Sequence, residues 1–334
     1  MEIGIKNWFS AYFFVKIKLM TKEKKLKGDK KRYVIGVDGG GTKTEIALAD
    51  LKGKLLNLTK TGPSSPRNLG IKKTAENLAE AINKIKGSKK INLIFIGLPA
   101  VEEEYKNKKE EIKREIIKRL KDFNGKLIIE SDQLVAFRSG ADKKDGIVLI
   151  SGTGCACHGW RGNKEAKASG WGWLADEGSG FWTGQKGFQA VLKQLDGRRP
   201  KTLIIGLLFK EWGLKNKYDL LDKIYLNYST RQISLISKIV DKAANKGDKI
   251  AKSIMEEAGK ELAISVLTVI KKLSFQKQKF PIVLVGGMFD SKIVSKTFIK
   301  EVKKIAKKTE FIHNKKRPVI GAIKLAVEQL TTKN

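Results

Sequence analysis

Cysteine is nearly absent from this chain: its 334 residues include two, Cys155 and Cys157, separated by one residue. Two thiols give no disulfide framework and too few ligands for a closed zinc site, so a reducing, cytoplasmic location is expected. On a strand both side chains would lie on one face, and His158 follows them. Packing of that strand is the favoured interpretation, and a soft-metal site at this Cys-x-Cys-His cluster is the alternative.

Long hydrophobic runs are missing too. The run at residues 8–15 is far shorter than the roughly 18 residues that a membrane-spanning helix needs. Lys16 and Lys18 interrupt it, and no cleavage pattern of small residues follows, so neither a membrane span nor a signal peptide is expected. We interpret residues 1–32 as a basic appendage, with Met20 as an alternative start.

Acidic residues are scarce, with 35 Asp and Glu against 68 Lys and Arg, which gives a formal net charge of +33. This balance is typical of nucleic-acid binders, and it also attracts anionic membrane surfaces. The lysines, however, are spread over almost every predicted helix without interleaved aromatic residues. That spread favours solvated helix faces, so nucleic-acid binding is the disfavoured alternative.

The chain does contain strands that alternate with helices. The apolar patterns predict a three-stranded meander, then helix, strand, helix and strand, at residues 33–38, 44–49, 55–59, 72–85, 91–97, 103–120 and 127–130. A second strand, glycine turn and strand follow at residues 146–150 and 155–161. Helical patterns follow at residues 178–195 and, mostly, at residues 203–272. They precede a strand at 281–285 and two final helices. This alternation predicts an α/β protein, and the length predicts two domains.

A glycine-rich turn separates the first two strands, with the sequence Gly39-Gly40-Gly41-Thr42-Lys43-Thr44. Because a strand follows it instead of a helix, it is neither a Rossmann nor a Walker loop. Glycines tolerate the positive φ that aims successive backbone N–H groups at a phosphate, and the threonines and lysine add donors. Asp38, at the strand end, is placed to hold Mg²⁺ through water. A plain hairpin turn is the alternative.

Two further glycine motifs strengthen the prediction of a nucleotide-binding site. The second hairpin has the turn Gly152-Thr153-Gly154, and Gly286-Gly287 follows a buried strand much later. Two phosphate-binding hairpins, together with a Gly-Gly pair that lets a flat base approach the backbone, predict a nucleotide clamp between two domains.

The order of these motifs resembles the sugar kinase, actin and heat-shock chaperone superfamily, in particular its N-acetylglucosamine kinase and BadF/BadG/BcrA/BcrD-type ATPase branch. Three more segments support the resemblance, at residues 170–180, 243–248 and 318–322. It implies two ribonuclease-H-like (actin-like ATPase) domains with a nucleotide cleft between them. The implied boundaries are 33–136 and 137–317, with a C-terminal helix at 318–334 that packs back on the first domain.

The same resemblance implies roles for individual residues. Asp132, in Glu130-Ser131-Asp132, would be the catalytic base and contact the sugar, with a helix N-cap as the alternative. Asp176 would bind a sugar hydroxyl, or else cap the following helix. Ser234 would contact adenosine, although helix packing is the other interpretation. The sugar would also lie against the backbone of Gly170, Trp171 and Gly172.

The substrate side departs from the usual pattern in three places, the first being a segment between Trp171 and Asp176 that is one residue shorter than usual. In the implied sugar-contact loop, Ser65 stands where an asparagine is usual, with Asn68 nearby. Pro99 and Ala100 replace the usual pair of a small residue and glycine. These departures affect the identity of the sugar more than the nucleotide site.

The implied activity is an ATP-dependent kinase that uses ATP and Mg²⁺ to phosphorylate a small sugar: N-acetylglucosamine, glucosamine or a related hexosamine. The alternative is an ATPase that energises a partner enzyme. Activators of that kind hold an iron–sulfur cluster between subunits with well-separated cysteines, which this sequence lacks, so no such cluster is expected. Association of two copies of the chain into a homodimer is the other expected kind of partnership.

Overall fold

The computed structural model describes residues 32–102, 104–226 and 229–331. These residues form two compact units. The first ends at Asp132 and resumes at Ala322, and the second is Gln133–Gly321. The predicted appendage, apart from Arg32, lies outside the described residues, and the predicted domain boundaries stay a prediction.

The first unit is built on one five-stranded sheet. Its strands are β1 (Tyr33–Asp38), β2 (Thr44–Asp50), β3 (Leu55–Thr61), β4 (Ile91–Leu98) and β5 (Lys126–Ser131), in the order β3-β2-β1-β4-β5. The meander pairs antiparallel, whereas β1, β4 and β5 pair parallel. The helices α1 (Pro66–Lys86) and α2 (Lys109–Ile117) supply the crossovers, and a 3₁₀ turn at Lys106–Lys108 precedes α2. Buried aliphatic residues of the sheet and both helices form its core.

The second unit repeats this sheet and adds helices. Its strands are β6 (Gly146–Ser151), β7 (Cys155–Arg161), β8 (Lys164–Ser169), β9 (Pro281–Val285) and β10 (Glu310–His313), in the order β10-β9-β6-β7-β8. The helices are α3 (Asp132–Gly140), α4 (Gly180–Leu195), α5 (Leu203–Trp212), α6 (Lys217–Tyr225), α7 (Thr230–Asn245), α8 (Lys249–Lys272), α9 (Lys292–Ile305) and the final α10 (Val319–Thr331). Asp132, the first residue of α3, and the residues of α10 from Ala322 onward belong to the first unit.

The two sheets share strand order and strand directions, with an antiparallel meander continued by two parallel strands. This arrangement confirms the predicted α/β class with two ribonuclease-H-like folds. It also places each glycine turn in the first hairpin of its unit, at the carboxyl ends of β1 and β6. Ligands bind at the carboxyl ends of parallel strands in open α/β sheets, so both turns lie where a site is expected.

Several elements differ from the predictions. Strands β8 and β10 were not predicted, and the helix expected at residues 103–120 is reduced to α2 and the 3₁₀ turn. Among the described residues, no helix combines the length and apolar character that a membrane span requires.

Side-chain caps explain where several helices of the second unit begin. Ser229 accepts the Gln232 N–H at the start of α7, and Asp248 accepts the Ala251 N–H at the start of α8. The second Asp248 oxygen accepts the Thr202 hydroxyl at 2.8 Å. The Gly247-Asp248 motif therefore joins the start of α8 to the start of α5, which is a structural role.

Candidate active site

The first glycine turn is packed tightly against its own unit. The Gly39 N–H donates to the Gly97 oxygen at 2.9 Å, and the Ser64 N–H donates to the Gly40 oxygen at 3.0 Å. A Cβ on Gly39 would lie 2.6 Å from the Ser64 Oγ. The turn therefore joins the ends of β1 and β4 to the Ser64–Asn68 loop.

Close packing, rather than backbone conformation, explains these glycines. Neither Gly39, Gly40 nor Gly41 has positive φ, so the sequence argument from left-handed conformation is wrong here. A Cβ on Gly40 would lie 2.9 Å from the Lys43 oxygen, which leaves no room for a side chain inside the turn. Gly41, Thr42 and Lys43 are exposed, whereas the buried Thr44 donates its hydroxyl to Ser64.

Two carboxylates lie next to this turn. Asp38 is the last residue of β1, and Asp132 is the first residue of α3, directly after β5. The pKa of Asp38 is raised to about 7, mainly by burial and further by the nearby Asp132 and Glu45 carboxylates, while Lys43 opposes the shift. The pair thus concentrates negative charge where water is scarce. A divalent cation fits this donor set, because Mg²⁺ prefers one or two carboxylates plus phosphate oxygens.

A second group of acids, which sequence reasoning missed, lies at the end of β5. Lys109 Nζ is 2.8 Å from Glu102 and 3.1 Å from Glu130. Burial and a hydrogen bond from the protonated Glu130 carboxyl to Glu102 raise the pKa of Glu130 to about 7, against the lowering effect of Lys109. The available signal was a glutamate at the end of an otherwise apolar strand, two residues before Asp132.

The predicted sugar-contact loop is ordered around the start of α1. Ser65 is buried and does not cap the helix with its side chain. The Asn68 Nδ2 donates to the Gly41 oxygen at 3.4 Å, so the amide also fastens the glycine turn. Ala100, which replaces the usual glycine, has φ 64°. An L-residue adopts this left-handed conformation at a cost, so the glycine of the usual pattern has a backbone reason.

In the second unit, the turn of the β6–β7 hairpin meets the start of α4. The Gly180 N–H donates to the Gly152 oxygen at 2.7 Å, and the Phe181 N–H donates to the Thr153 oxygen at 3.1 Å. The N-terminus of α4 is therefore fastened to this turn by two backbone hydrogen bonds.

Two more predicted nucleotide residues lie at the same turn. Gly286 has φ 108°, and a Cβ there would lie 2.1 Å from the Ser151 oxygen, so glycine is required. A Cβ on Gly180 would lie 2.6 Å from the Ser234 Oγ. The structure thus brings Gly152, Gly286 and Ser234 together in one unit, with Gly287 next in the chain.

Asp176 organises the loop that carries Trp171. Its Oδ1 accepts the N–H groups of Gly170 and Trp171 at 2.9 and 3.0 Å, and its Oδ2 accepts the Cys155 N–H at 3.2 Å. The carboxylate is buried, and burial raises its pKa although these N–H donors lower it. The following helix, α4, is capped by Ser179, so the capping alternative for Asp176 is wrong.

Both cysteines are buried in the core of the second unit. Their shared face on β7 agrees with the predicted strand packing. Burial raises the pKa of the Cys155 thiol to about 12, which opposes thiolate formation and metal ligation. Within the ranges described, no group of three or more His, Cys, Asp or Glu residues is placed to hold a metal ion.

Comparison with known proteins agrees with this geometry. The model of the BadF/BadG/BcrA/BcrD ATPase family matches residues 35–326. The chain belongs to this family.

Two relatives of this chain are named as sugar kinases. An N-acetylmuramic acid/N-acetylglucosamine kinase from Clostridium acetobutylicum is 35% identical over 270 residues, which cover 78% of this chain and 86% of that protein. An N-acetyl-D-glucosamine kinase from Dictyostelium discoideum is 30% identical over 316 residues, covering 89% of this chain and 98% of that protein.

A solved structure shares the fold. A candidate N-acetylglucosamine kinase from Chromobacterium violaceum superposes with a TM-score of 0.65 at 22% identity, covering 89% of this chain and 99% of that chain. At this identity the likeness shows the shared fold alone. The roles assigned to individual site residues stay predictions.

Proposed function

We propose that this chain is an ATP-dependent kinase that phosphorylates a hydroxyl of an amino sugar, with N-acetylglucosamine as its first candidate substrate. The observation that carries the proposal is the pair Asp38 and Asp132 beside the first glycine turn, in a chain with 35% identity to a kinase of such sugars. N-acetylglucosamine is the sugar common to the names of both relatives.

Asp132 is the proposed catalytic base. Phosphoryl transfer depends on positioning and charge stabilisation, and a carboxylate accepts the hydroxyl proton as the new O–P bond forms. Asp132 follows β5 directly and starts α3, so two regular elements fix its backbone. The Ser64–Asn68 loop and the Gly170–Gly172 loop are the proposed sugar contacts.

ATP is the proposed phosphoryl donor. Its phosphates would contact the first turn, Gly39–Thr44, and the second turn, Gly152–Gly154. The adenosine would lie against Gly286, Gly287 and Ser234. Asp38 is the proposed ligand of Mg²⁺, which when bound would neutralise phosphate charge. A cytoplasmic location, where ATP is abundant, is part of the same proposal.

The test is ADP formation from ATP in a coupled assay, across a panel of hexoses and amino sugars with a control that lacks sugar. We expect turnover to rise sharply with an N-acetylated amino sugar. Equal ADP formation in every well, including the control, would contradict the kinase and favour the ATPase that energises a partner enzyme.

A further inference from the structure

One cation of the sugar-contact loop has no role in the proposed function. Arg67 lies in the first turn of α1, two residues after Ser65 and next to Asn68. Its side chain is 54% exposed, and its Nε donates to the Glu104 Oε2 at 2.6 Å. The loop that is fastened to the first glycine turn therefore also presents a positive charge to solvent.

The ion pair uses one edge of the guanidinium. Within residues 32–102, 104–226 and 229–331, the terminal Nη1 and Nη2 groups of Arg67 make no hydrogen bond. A guanidinium carries five N–H donors in a planar fork that matches a carboxylate bidentately. Four of those donors remain for a ligand.

Two other cations of the first unit also have acidic partners, and neither lies in the sugar-contact loop. Lys109 contacts both Glu102 and Glu130. Lys43 lies 3.5 Å from Glu45, in the turn assigned to phosphate. Of these three cations, Arg67 is the one placed in the sugar loop with an open donor face.

The surroundings of Arg67 hold the loop in place. The Tyr105 hydroxyl donates to the Pro66 oxygen at 3.2 Å, which ties the segment after β4 to the start of α1. The helix breaks at Gly70, with φ 74° and ψ 166°, so residues 66–69 form a separate turn. Ser65 is buried and has a shorter side chain than the asparagine usual in the pattern.

We propose that Arg67 binds a carboxylate carried by the sugar, so that the site accepts an acidic N-acetylhexosamine, represented by N-acetylmuramic acid, besides N-acetylglucosamine. The inference rests on the proposed kinase function and extends it to a specificity residue. The lactyl ether of N-acetylmuramic acid adds one carboxylate, and two parallel N–H···O bonds from Nη1 and Nη2 recognise it. Glu104 competes with that carboxylate for the same guanidinium.

The experiment compares kcat and KM for both sugars in the full-length wild type and three variants. Arg67→Gln is expected to raise KM for N-acetylmuramic acid about ten- to a hundredfold more than KM for N-acetylglucosamine, since charged hydrogen bonds have that worth. The kcat values should change less, because the contact is equal in ground and transition states. Glu104→Gln should act oppositely and lower KM for N-acetylmuramic acid.

Lys73→Gln is the matched control. Lys73 is also on α1, is 60% exposed and pairs with Glu76 at 3.2 Å, so it removes a similar surface charge outside the loop. Its effect on the two sugars should be equal. Turnover of N-acetylglucosamine with no turnover of N-acetylmuramic acid, or an equal effect of Arg67→Gln on both sugars, overturns the inference and leaves the kinase intact. Failure of every sugar to raise ADP formation overturns both.

Discussion

At the scale of single residues, Asp132 bears the chemical step of the proposed function. Asp132→Asn keeps the shape and removes the proton acceptor, so we expect kcat to fall about 10²- to 10⁴-fold, the usual contribution of a general base. ATP binding, measured by fluorescence titration with a nucleotide analogue, should persist because the glycine turns are untouched. Wild-type turnover in this variant would refute the assignment of the base.

Glu130 gives a prediction for pH dependence. Its pKa is raised from 4.5 to about 7 in the folded protein, so the folded state favours the protonated carboxyl. The stabilising contribution of Glu130 is therefore complete below about pH 4.5 and is lost as the pH rises through 7. Glu130→Gln cannot titrate, so its Tm should increasingly exceed that of the wild type from pH 5 to about 7, and the difference should level off between about pH 7 and 8.

Glu115 on α2 provides the control for that titration. The Arg119 hydrogen bond lowers the pKa of Glu115, so this carboxylate is ionised throughout the same range. Glu115→Gln should lower Tm by an amount that does not vary from pH 5 to 8. A Glu130→Gln difference that is equally flat would show that Glu130 does not titrate in this interval.

The sequence predicts those site residues whose positions follow from a local pattern, and it misses contacts between residues that are far apart along the chain. Asp38 and Asp132 follow apolar strand patterns, so their place at the strand ends could be read locally. The pairing of Glu130 with Lys109 and Glu102 could not, because it depends on how the segment after β4 folds back. The several backbone donors to Asp176 come likewise from two separate turns.

At the scale of elements, the contact between α4 and α7 makes a sharp prediction. A Cβ on Gly184 would lie 1.9 Å from the Ile233 backbone oxygen, which cannot rotate away. Gly184→Ala should therefore destabilise the protein by about 2–3 kcal/mol or more, because overpacking forces the helices apart. Urea unfolding followed by circular dichroism measures the change.

Gly206 in α5 is the matched position for that substitution. It is exposed, and nothing lies within 4 Å of an added Cβ. Gly206→Ala should stabilise the protein by about 0.5–1 kcal/mol, since alanine restricts the unfolded chain and favours the helix. Equal effects of the two substitutions would mean that α4 and α7 do not approach as closely as described.

Element prediction succeeded where the pattern of burial is simple. Strands β1, β7 and β9 were predicted at the bounds observed, because β1 and β9 are nearly continuous apolar runs and glycine turns bound β7. Strand β8 (KEAKAS) has no β-branched or aromatic residue, so its pairing with β7 decides its conformation. Strand β10 has four residues, too few for a periodic signal, and lies at the sheet edge.

At the scale of the whole molecule, the formal charge of +33 makes stability depend on salt. Repulsion among so many lysines disfavours the compact state, and salt screens it as the Debye length falls from about 30 Å at 0.01 M to about 10 Å at 0.1 M. Exposed ion pairs such as Lys73–Glu76 contribute little to stability. Salt weakens these pairs too, but that loss is smaller than the stability gained when repulsion among the lysines is screened. We expect Tm to rise by several degrees from 10 to 200 mM KCl.

A variant with less positive charge tests whether repulsion is the cause. Lys296, Lys300 and Lys303 are exposed on α9, and replacing all three by glutamate lowers the formal charge from +33 to +27. This triple variant should have a higher Tm than the wild type at 10 mM KCl and a weaker rise with salt. If Tm instead fell with salt in the wild type, attraction within ion pairs would outweigh repulsion, and the lysine-rich surface would have to be regarded as paired.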